Sequence, residues 1–381
     1  MKIIIAPDKF KGSMTAAEAA DSIARGIKSV MPAAQLQLIP LSDGGEGLVE
    51  SLVGSAKGTL MQTIVADPLG SPVKATWGLL DDWKTAVIEM STASGLTLIP
   101  EEKRNPSIAT TYGTGELIKA ALDHGCTKLI IGIGGSATND GGAGMAQALG
   151  ARFYDQHGRI LNYGGAELLK LDCIDISALD NRLQNLVTLV ACDVNNPLTG
   201  PLGASRIYGP QKGASSELVD LLDRALSNYA QIVKKDLGVE IDNIPGAGAA
   251  GGLGAGLIAF LGAELRSGIE LVLDALQIDR LLPGCNLLIT AEGKLDAQSA
   301  HGKAPVGIAR RAARFGVPVI ALAGSIESDL EQFHSEGLSA CFAIADGPLT
   351  LEQSIARGPE LLKNKTAELL RLWRTASSAI R

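Results

Sequence analysis

Short apolar, β-branched runs alternate with an amphipathic segment at the start of the chain. The runs span residues 2–6 and 35–41, and each leads into a polar loop. Between them, apolar residues recur at helical spacing up to Val30, behind a capping box formed by Thr15 and Glu18. This order of strand, polar loop and helix is typical of a parallel sheet with crossover helices.

The alternation weakens in the middle of the chain and returns near residue 286. Residues 58–90 are typical of antiparallel strands around a turn that contains two prolines and a glycine. Further strands are predicted at 128–132, 186–192, 286–290, 317–323 and 340–345, and helices at 116–123, 216–235 and 306–315.

A chain of 381 residues is too long for one ordinary core. We therefore predict an α/β fold with two α/β domains. One is a Rossmann-like, doubly wound parallel sheet built from both chain ends, residues 1–75 and 286–381. The other, residues 76–285, is inserted between these parts and carries a Gly-rich phosphate-binding loop.

The apolar run 128–132 passes directly into this loop, where six of the thirteen residues from Gly132 to Gly144 are glycine. Glycine adopts positive φ and allows a ligand to approach the backbone closely. The polar residues among the glycines are Ser136, Thr138, Asn139 and Asp140. Such a loop can turn N–H groups and short side chains toward phosphate oxygens or a metal. The alternative is a tight strand-to-helix turn in which the glycines serve packing only.

Composition narrows the class of protein. The net charge is −7 without a basic stripe, so a nucleic-acid partner is not expected. The five cysteines are scattered singly, which is typical of free thiols in a reducing compartment. The chain begins with a strand pattern and not with a secretory leader. The uncharged segment 246–263 contains seven glycines, so we predict a buried loop and helix there, and no membrane association.

Several predicted strands end in an acidic or glycine-rich loop. The residues at these ends are Asp8, Asp43, Gly134, Asp193 and Glu292. Ligands of open α/β sheets bind beyond the carboxyl ends of the strands, so we expect a cleft lined by these loops. Carboxylates that gather at one site repel each other unless a cation joins them, which favours a divalent metal.

A phosphoryl-transfer site needs few parts: N–H donors and a cation for the phosphates, carboxylates for Mg²⁺, and a group that positions or deprotonates the attacking hydroxyl. The candidate cations are Lys11, Lys294 and Lys303, and the candidate ligands or bases are Asp193, Glu292 and Asp296. Any one of these lysines could equally be a surface residue, and any one aspartate a turn or helix cap.

Two other functions remain open at this point. The segments 132–137 and 246–251 each fit a dinucleotide fingerprint, which would suit an NAD-dependent hydroxy-acid dehydrogenase. Neither segment sits in a well-formed strand–turn–helix unit with a closing acidic residue, which argues against this function. A non-catalytic sensor of a small acid is the second alternative, although a sensor does not need so many carboxylate-bearing loops.

The chain resembles the bacterial type-1 glycerate kinases along nearly its whole length. The segments that carry the resemblance are 6–13, 43–47, 113–117, 131–144, 191–197, 209–214, 248–252, 292–296 and 301–305. In this order they are specific, whereas any one alone would not be. The resemblance implies ATP-dependent phosphorylation of D-glycerate with Mg²⁺ in the cytoplasm, at the 2-hydroxyl, by two α/β domains with the active site between them. A homodimer is left open.

Individual roles follow as a hypothesis from the resemblance and the strand-end positions. The phosphate-binding residues would be Gly134, Gly135, Ser136, Thr138, Asn139, Asp140, Gly141 and Gly142. Asp193, Lys11 and Lys294 would be catalytic, and Glu292 and Asp296 would hold Mg²⁺. The glycerate end would be formed by Asp8, Asp43, Glu46, Arg104 and Lys303. The family commonly has serine where Lys9 stands, so Lys11 is preferred to Lys9 as the cation of its loop.

Overall fold

The computed structural model describes residues 1–45, 47–300, 303–327 and 329–379. The strands are β1 Lys2–Ile5, β2 Gln35–Leu38, β3 Thr59–Ala66, β4 Pro72–Leu79, β5 Thr85–Glu89, β6 Lys128–Gly132, β7 Arg152–Asp155, β8 Leu171–Asp175, β9 Val187–Ala191, β10 Glu264–Arg266, β11 Leu287–Leu295, β12 Val319–Ile326 and β13 Ala340–Ala343. The helices are α1 Ala16–Val30, α2 Leu48–Ser55, α3 Ser91–Ser94, α4 Tyr112–Asp123, α5 Ala143–Ala148, α6 Ala204–Tyr208, α7 Ser216–Leu237, α8 Leu253–Leu261, α9 Gly268–Ala275, α10 Ile278–Leu281, α11 Ala297–Ala300, α12 Ala304–Ala313, α13 Leu330–Ser335 and α14 Leu351–Ala379.

The chain forms two compact units. Unit 1 comprises residues 1–43 and 272–381, and unit 2 comprises residues 44–271. The sequence prediction placed the boundaries at 75/76 and 285/286. The difference at the first boundary arises because β3 and β4 extend the sheet of unit 2, so that the segment 44–75 packs there.

Unit 1 contains a five-stranded parallel sheet in the order β13-β12-β11-β1-β2. The apolar residues 3–5 of β1 are fully buried, as expected for a central strand covered on both faces. Helix α1 begins at the predicted capping box, where the Thr15 hydroxyl accepts from the Glu18 N–H and the Glu18 carboxylate accepts from the Thr15 N–H. The doubly wound sheet built from both chain ends is thereby confirmed.

Strand β11 is longer than predicted. The sequence placed its end at Thr290, but β11 pairs with β12 as far as Leu295 opposite Ile326. Glu292 and Lys294 therefore lie within a strand, and not in the loop that the sequence analysis assigned to them. The sequence did not predict this continuation because it contains a glycine and charged residues, which are depleted in strands.

Unit 2 contains a six-stranded mixed sheet in the order β10-β9-β6-β5-β4-β3 and a separate β7–β8 hairpin. Strands β5, β6, β9 and β10 run parallel, whereas β3, β4 and β5 form the predicted antiparallel part. The segment 246–263 is the expected buried loop and helix, with α8 inside it. Within the described ranges, no helix combines the length and the apolar content that a bilayer crossing requires.

A hydrogen bond within unit 1 links the segment before α1 to the final helix, α14. Pro359 lies inside α14, so it cannot donate the helical N–H bond to the Ile355 carbonyl. The Ser13 hydroxyl donates to that carbonyl instead, at 2.6 Å. A Cβ atom at Gly358 would come within 2.3 Å of the Ser13 oxygen, so this glycine leaves room for the contact. The polar turn before α1 is thereby attached to the final helix.

This contact predicts a coupling between Ser13 and Pro359. Ser13→Ala leaves the Ile355 carbonyl without a donor and should lower the free energy of unfolding by about 1 kcal/mol. In a Pro359→Ala background the new N–H can reach that carbonyl, so Ser13→Ala should cost much less there. A double-mutant cycle in urea measures the difference. Ser29→Ala, which removes a hydroxyl bonded to Gly26 within α1, is the control and should cost the same in both backgrounds.

Candidate active site

The exposed part of the glycine loop in unit 2 consists of Gly134 and Gly135. Strand β6 ends two residues earlier, and Gly135 has a φ of 73°. The Gly135 carbonyl accepts from the Leu96 N–H at 2.8 Å, which holds the loop against the segment after α3. The N–H groups of Gly134 and Gly135 have no acceptor among the described residues. Two adjacent backbone donors thus face solvent at the end of a buried strand, as a phosphate site requires.

The following part of the loop is buried and braces the fold. Asp140 is 1% exposed, and its carboxylate accepts from the N–H and hydroxyl of Thr111 and from the N–H groups of Gly142 and Gly144. Burial raises the pKa of Asp140, while these four donors favour its ionised form. Asn139 donates to the Ser205 hydroxyl at 2.9 Å. The structure therefore gives Asn139 and Asp140 bracing contacts, and it leaves their side chains no exposed surface.

Lys212 is the second charged group of this interior. It is 1% exposed, and its ammonium nitrogen donates to the Thr138 carbonyl at 2.7 Å. Burial lowers the pKa of Lys212 from 10.5 to about 7, and the nearby Asp140 opposes this shift. The Thr138 hydroxyl is buried and lacks a hydrogen-bond partner in the described part of the chain. Lys212 thus holds the loop backbone from its buried side.

The second glycine-rich segment packs directly on the backbone of the first. A Cβ atom at Gly251 would lie 2.0 Å from the Thr138 carbonyl oxygen, and one at Gly252 would lie 2.8 Å from the Gly141 Cα. A Cβ atom at Gly142 would lie 3.1 Å from the Gly256 Cα. Gly251, Gly252 and Gly256 are explained by this close packing, and a dinucleotide is not needed to account for them.

Asp193 and Arg104 are the other predicted residues in unit 2. Asp193 follows β9, is exposed, and accepts from the N–H of Gly268, the first residue of α9, at 2.9 Å. Arg104 is half-buried, and its Nε atom is buried without a hydrogen-bond partner among the residues that the structure describes. An unsatisfied guanidinium nitrogen is a suitable donor for an anionic ligand.

Two buried carboxylates lie close together in unit 1. Asp8 follows β1, Glu292 lies in the neighbouring β11, and each is 7% exposed. Burial, with Asp43 nearby, raises the pKa of Asp8 from 3.8 to about 7. Burial, with Asp8 and Asp296 nearby, raises the pKa of Glu292 to about 8. The positive charge of Lys303 partly opposes both shifts, which places these predicted residues in one electrostatic cluster.

The other predicted residues that the structure describes in unit 1 are Lys11, Lys294 and Asp296. Lys11 is exposed in the turn that Phe10 and Met14 close, and its backbone nitrogen lies 3.5 Å from where a Cβ atom of Gly293 would be. The charge of Lys294 is paired with Glu327 at 2.6 Å, so it is less available to a ligand than predicted. The Asp296 carboxylate accepts from the Ser299 N–H at 3.1 Å, as a cap before α11 does. Glu46 lies outside the described residues.

The carboxylates of unit 1 fit a metal ion that also binds a ligand, and not a metal ion that is held by protein side chains alone. In the described ranges, no group of three or more His, Cys, Asp and Glu side chains is arranged to hold a metal ion. The Oε1 atom of Glu292 is nevertheless buried, and within those ranges nothing donates a hydrogen bond to it. Mg²⁺ keeps several waters and usually takes one or two carboxylates plus substrate phosphates. The residues present are sufficient for that mode of binding.

Comparison with known proteins decides the family. A family model described as the glycerate kinase family matches residues 3–374. The chain belongs to the glycerate kinase family. The predicted family and its kinase activity toward glycerate are confirmed, and the dehydrogenase alternative is removed.

Individual relatives of the glycerate kinase family cover nearly the whole chain. The chain is 52% identical to a glycerate 2-kinase of Escherichia coli (strain K12), over 93% of both proteins. It is 50% identical to a glycerate kinase of Bacillus subtilis (strain 168), over 97% of both. A crystal structure from Salmonella typhimurium LT2 matches with a TM-score of 0.92 at 46% identity, over 99% of both chains.

Sequence reasoning missed the groups that brace the glycine loop of this glycerate kinase. Lys212 lies in the segment 209–214, which carries the family resemblance, and Thr111 lies just before the segment 113–117. The sequence analysis assigned a role to neither residue. The signal for Lys212 was its position between Pro210 and Gly213, where a lysine without acidic neighbours is unusual for a solvated face. Glu327, which pairs with Lys294, lies at the end of β12 and became identifiable only when β11 was seen to extend alongside it.

The buried lysine predicts a pH dependence of stability. The pKa of Lys212 in the folded protein lies below its ordinary value, so the unfolded chain binds more protons between about pH 7 and 10.5. The free energy of unfolding should therefore rise with pH in this interval relative to Lys212→Met, by up to about 1.4 kcal/mol per pH unit. Urea unfolding of both proteins at several pH values measures this.

The control for this experiment is Lys234→Met, because Lys234 is exposed and pairs only with Glu240 in the described structure. Its unfolding free energy should follow that of the wild type across the same pH interval. Parallel curves for Lys212→Met and the wild type would show that Lys212 keeps an ordinary pKa in the folded protein.

Proposed function

We propose that this chain transfers the terminal phosphoryl group of ATP to the 2-hydroxyl of D-glycerate, which gives 2-phosphoglycerate. The observation that carries the proposal is the pair of exposed glycines, Gly134 and Gly135, whose N–H groups lack an acceptor among the described residues. Buried contacts of the residues that follow hold this loop in place. The 2-position is supported by the 52% identity to a glycerate 2-kinase. The five described cysteines are free thiols, which supports a cytoplasmic location.

The glycine loop supplies electrostatic stabilisation in this proposal. The N–H groups of Gly134, Gly135 and Ser136 donate to phosphate oxygens, while Thr138, Asn139, Asp140, Gly141 and Gly142 keep the loop in shape. Donors that are already oriented lower the barrier because they need no reorganisation as charge develops on the transferring group. Lys11 contributes a positive charge from its exposed turn.

In this proposal the carboxylates of unit 1 bind the metal ion. Glu292 and Asp296 would hold Mg²⁺, with Asp8 beside Glu292. When bound, Mg²⁺ neutralises charge on the phosphates of the nucleotide. The raised pKa values of Asp8 and Glu292 agree with a site that is completed by a cation, because each carboxylate is buried near another negative group. Asp43, Glu46, Arg104 and Lys303 are assigned to glycerate.

Asp193 is assigned to the glycerate hydroxyl. Its carboxylate is exposed at the end of β9, and its Oδ1 atom accepts from the Gly268 N–H. A carboxylate in this position orients the attacking hydroxyl and takes its proton. Lys294 is given a supporting role, because its ion pair with Glu327 occupies its charge.

The proposed reaction is tested by phosphorus NMR after incubation of the chain with Mg-ATP and D-glycerate. The expected product signal is that of 2-phosphoglycerate. A signal of 3-phosphoglycerate would contradict the position of transfer. Absence of any phosphorylated product would contradict the proposed phosphoryl transfer.

Asp193→Asn separates a base from a helix cap. Asparagine keeps an oxygen that can accept from the Gly268 N–H, so stability should change little, but it cannot take a proton. We expect turnover to fall by roughly 10²–10⁴. Asp180→Asn is the control, since Asp180 also accepts a backbone N–H, from Arg182, on the surface of unit 2. Near-normal turnover of Asp193→Asn would remove this residue from the mechanism.

Gly135→Ala tests the phosphate-binding amides. The φ of 73° disfavours alanine and strains the loop backbone, whereas the added Cβ atom would make an ordinary contact with the Ser91 Cβ, at 3.4 Å. We expect the KM for ATP to rise by about tenfold, equivalent to roughly 1.4 kcal/mol of binding. Gly125→Ala has a similar φ of 80° and open surroundings, so it matches the backbone strain. Equal effects of both variants on KM would place the nucleotide elsewhere.

A further inference from the structure

Strand β3 is an unprotected edge of the six-stranded sheet in unit 2. In the described part of the chain it ends the strand order and pairs with β4 alone. Its eight residues, from Thr59 to Ala66, include no charged residue and no proline, and their register with β4 is unbroken. Sheet proteins usually protect a long edge strand with charge, proline, a bulge or a covering element, because an open edge pairs with other chains.

The direction of the backbone groups on this edge follows from the hydrogen bonds at its end. The Asp67 N–H donates to the Ser71 carbonyl, which marks the pair 67/71 as hydrogen-bonded. Antiparallel pairs alternate, so the backbone groups of Leu60, Gln62 and Ile64 point away from β4. The open edge ends at Ala66, whose N–H is taken by the Glu116 carboxylate at 2.7 Å.

The side chains of these three residues share one face of the sheet and are exposed. Leu60 is 50% exposed and Ile64 is 74% exposed. Gln62 lies between them and is also exposed. Two large apolar side chains beside three outward-facing backbone units form a compact apolar strip on the edge.

We propose that β3 pairs antiparallel with β3 of a second copy of this chain, about a two-fold axis through Gln62. In this register Leu60 of each copy lies opposite Ile64 of the other, and the two Gln62 residues face each other. The three outward-facing residues of each copy can then exchange backbone hydrogen bonds. The strip is self-complementary, as a two-fold interface requires.

The charges at the two ends of the strip favour the same arrangement. Lys57 is exposed before β3, whereas Asp67 and Glu116 lie at the other end. An antiparallel second copy brings Lys57 beside the acidic end of its neighbour, twice in each dimer. A parallel copy would place like charges together, which is unfavourable. The charge pattern therefore selects a second copy in antiparallel orientation as the occupant.

The oligomeric state of the full chain tests this proposal. Sedimentation or light scattering at micromolar concentration should give twice the chain mass of 39.4 kDa. Ile64→Lys places a charge opposite Leu60 of the other copy and should weaken association at least about tenfold, equivalent to roughly 1.4 kcal/mol. Leu202→Lys, at a similarly exposed site of 63%, should remain dimeric. A monomeric wild type, or an unchanged dimer dissociation constant for Ile64→Lys, would overturn the proposal.

Cross-linking tests the register without relying on a destabilising charge. In a Cys173→Ser background, which removes the exposed native thiol, Gln62→Cys should form a disulfide between copies. The reason is that facing residues of a hydrogen-bonded pair are about 5.5 Å apart, within the range of a disulfide. Leu60→Cys is the matched control, because its two copies would be roughly 13 Å apart along the strands. Equal cross-linking of both variants, or none of Gln62→Cys, would refute this register.

Discussion

Asp140 is a buried carboxylate with four hydrogen-bond donors, and the geometry of the glycine loop depends on it. Two donors come from Thr111, immediately before α4, and two from the first turn around α5. A carboxylate without these partners would be costly at this depth, so the donors and the acceptor fix each other's positions. Lys212 adds a contact to the Thr138 carbonyl from the opposite direction. The buried contacts of the residues that follow hold Gly134 and Gly135 in place.

Glycine serves two distinct purposes in this interior. At Gly135 a positive φ shapes the exposed turn, whereas at Gly251 and Gly252 the absence of a side chain allows two backbone segments to touch. The packing alternative, that glycines in the 132–144 loop serve a tight turn, describes the buried part of the loop. The phosphate-binding role that we propose concerns its exposed part, so the two explanations of one motif apply to different residues.

The sequence was sufficient for most of the parallel strands and for the family, because these depend on periodicity and on ordered motifs, whereas the β7–β8 hairpin and β10 were not predicted. The parallel strands at both chain ends and the capping box at Thr15 are local patterns. The site residues were harder to predict, because the burial of a side chain and its ionic partners depend on residues far away in the sequence. Thr138, Asn139 and Asp140 have the same short polar character whether they face a ligand or the core. Glu327 lies 33 positions after Lys294, and only the register of β11 with β12 brings their charges together.

The central position of β1 has a consequence for biosynthesis. Its neighbours in the sheet include β11, and the Lys2 N–H bonds to Asn286, which is 284 positions away in the chain. At ordinary translation rates the ribosome needs on the order of tens of seconds to make the intervening polypeptide. During that time the isoleucines 3–5 lack one of their strand partners, while the segment 44–271 has already been synthesised. All residues of unit 2 are therefore synthesised before unit 1 is complete, and β1 stays without its β11 partner until translation has passed residue 287.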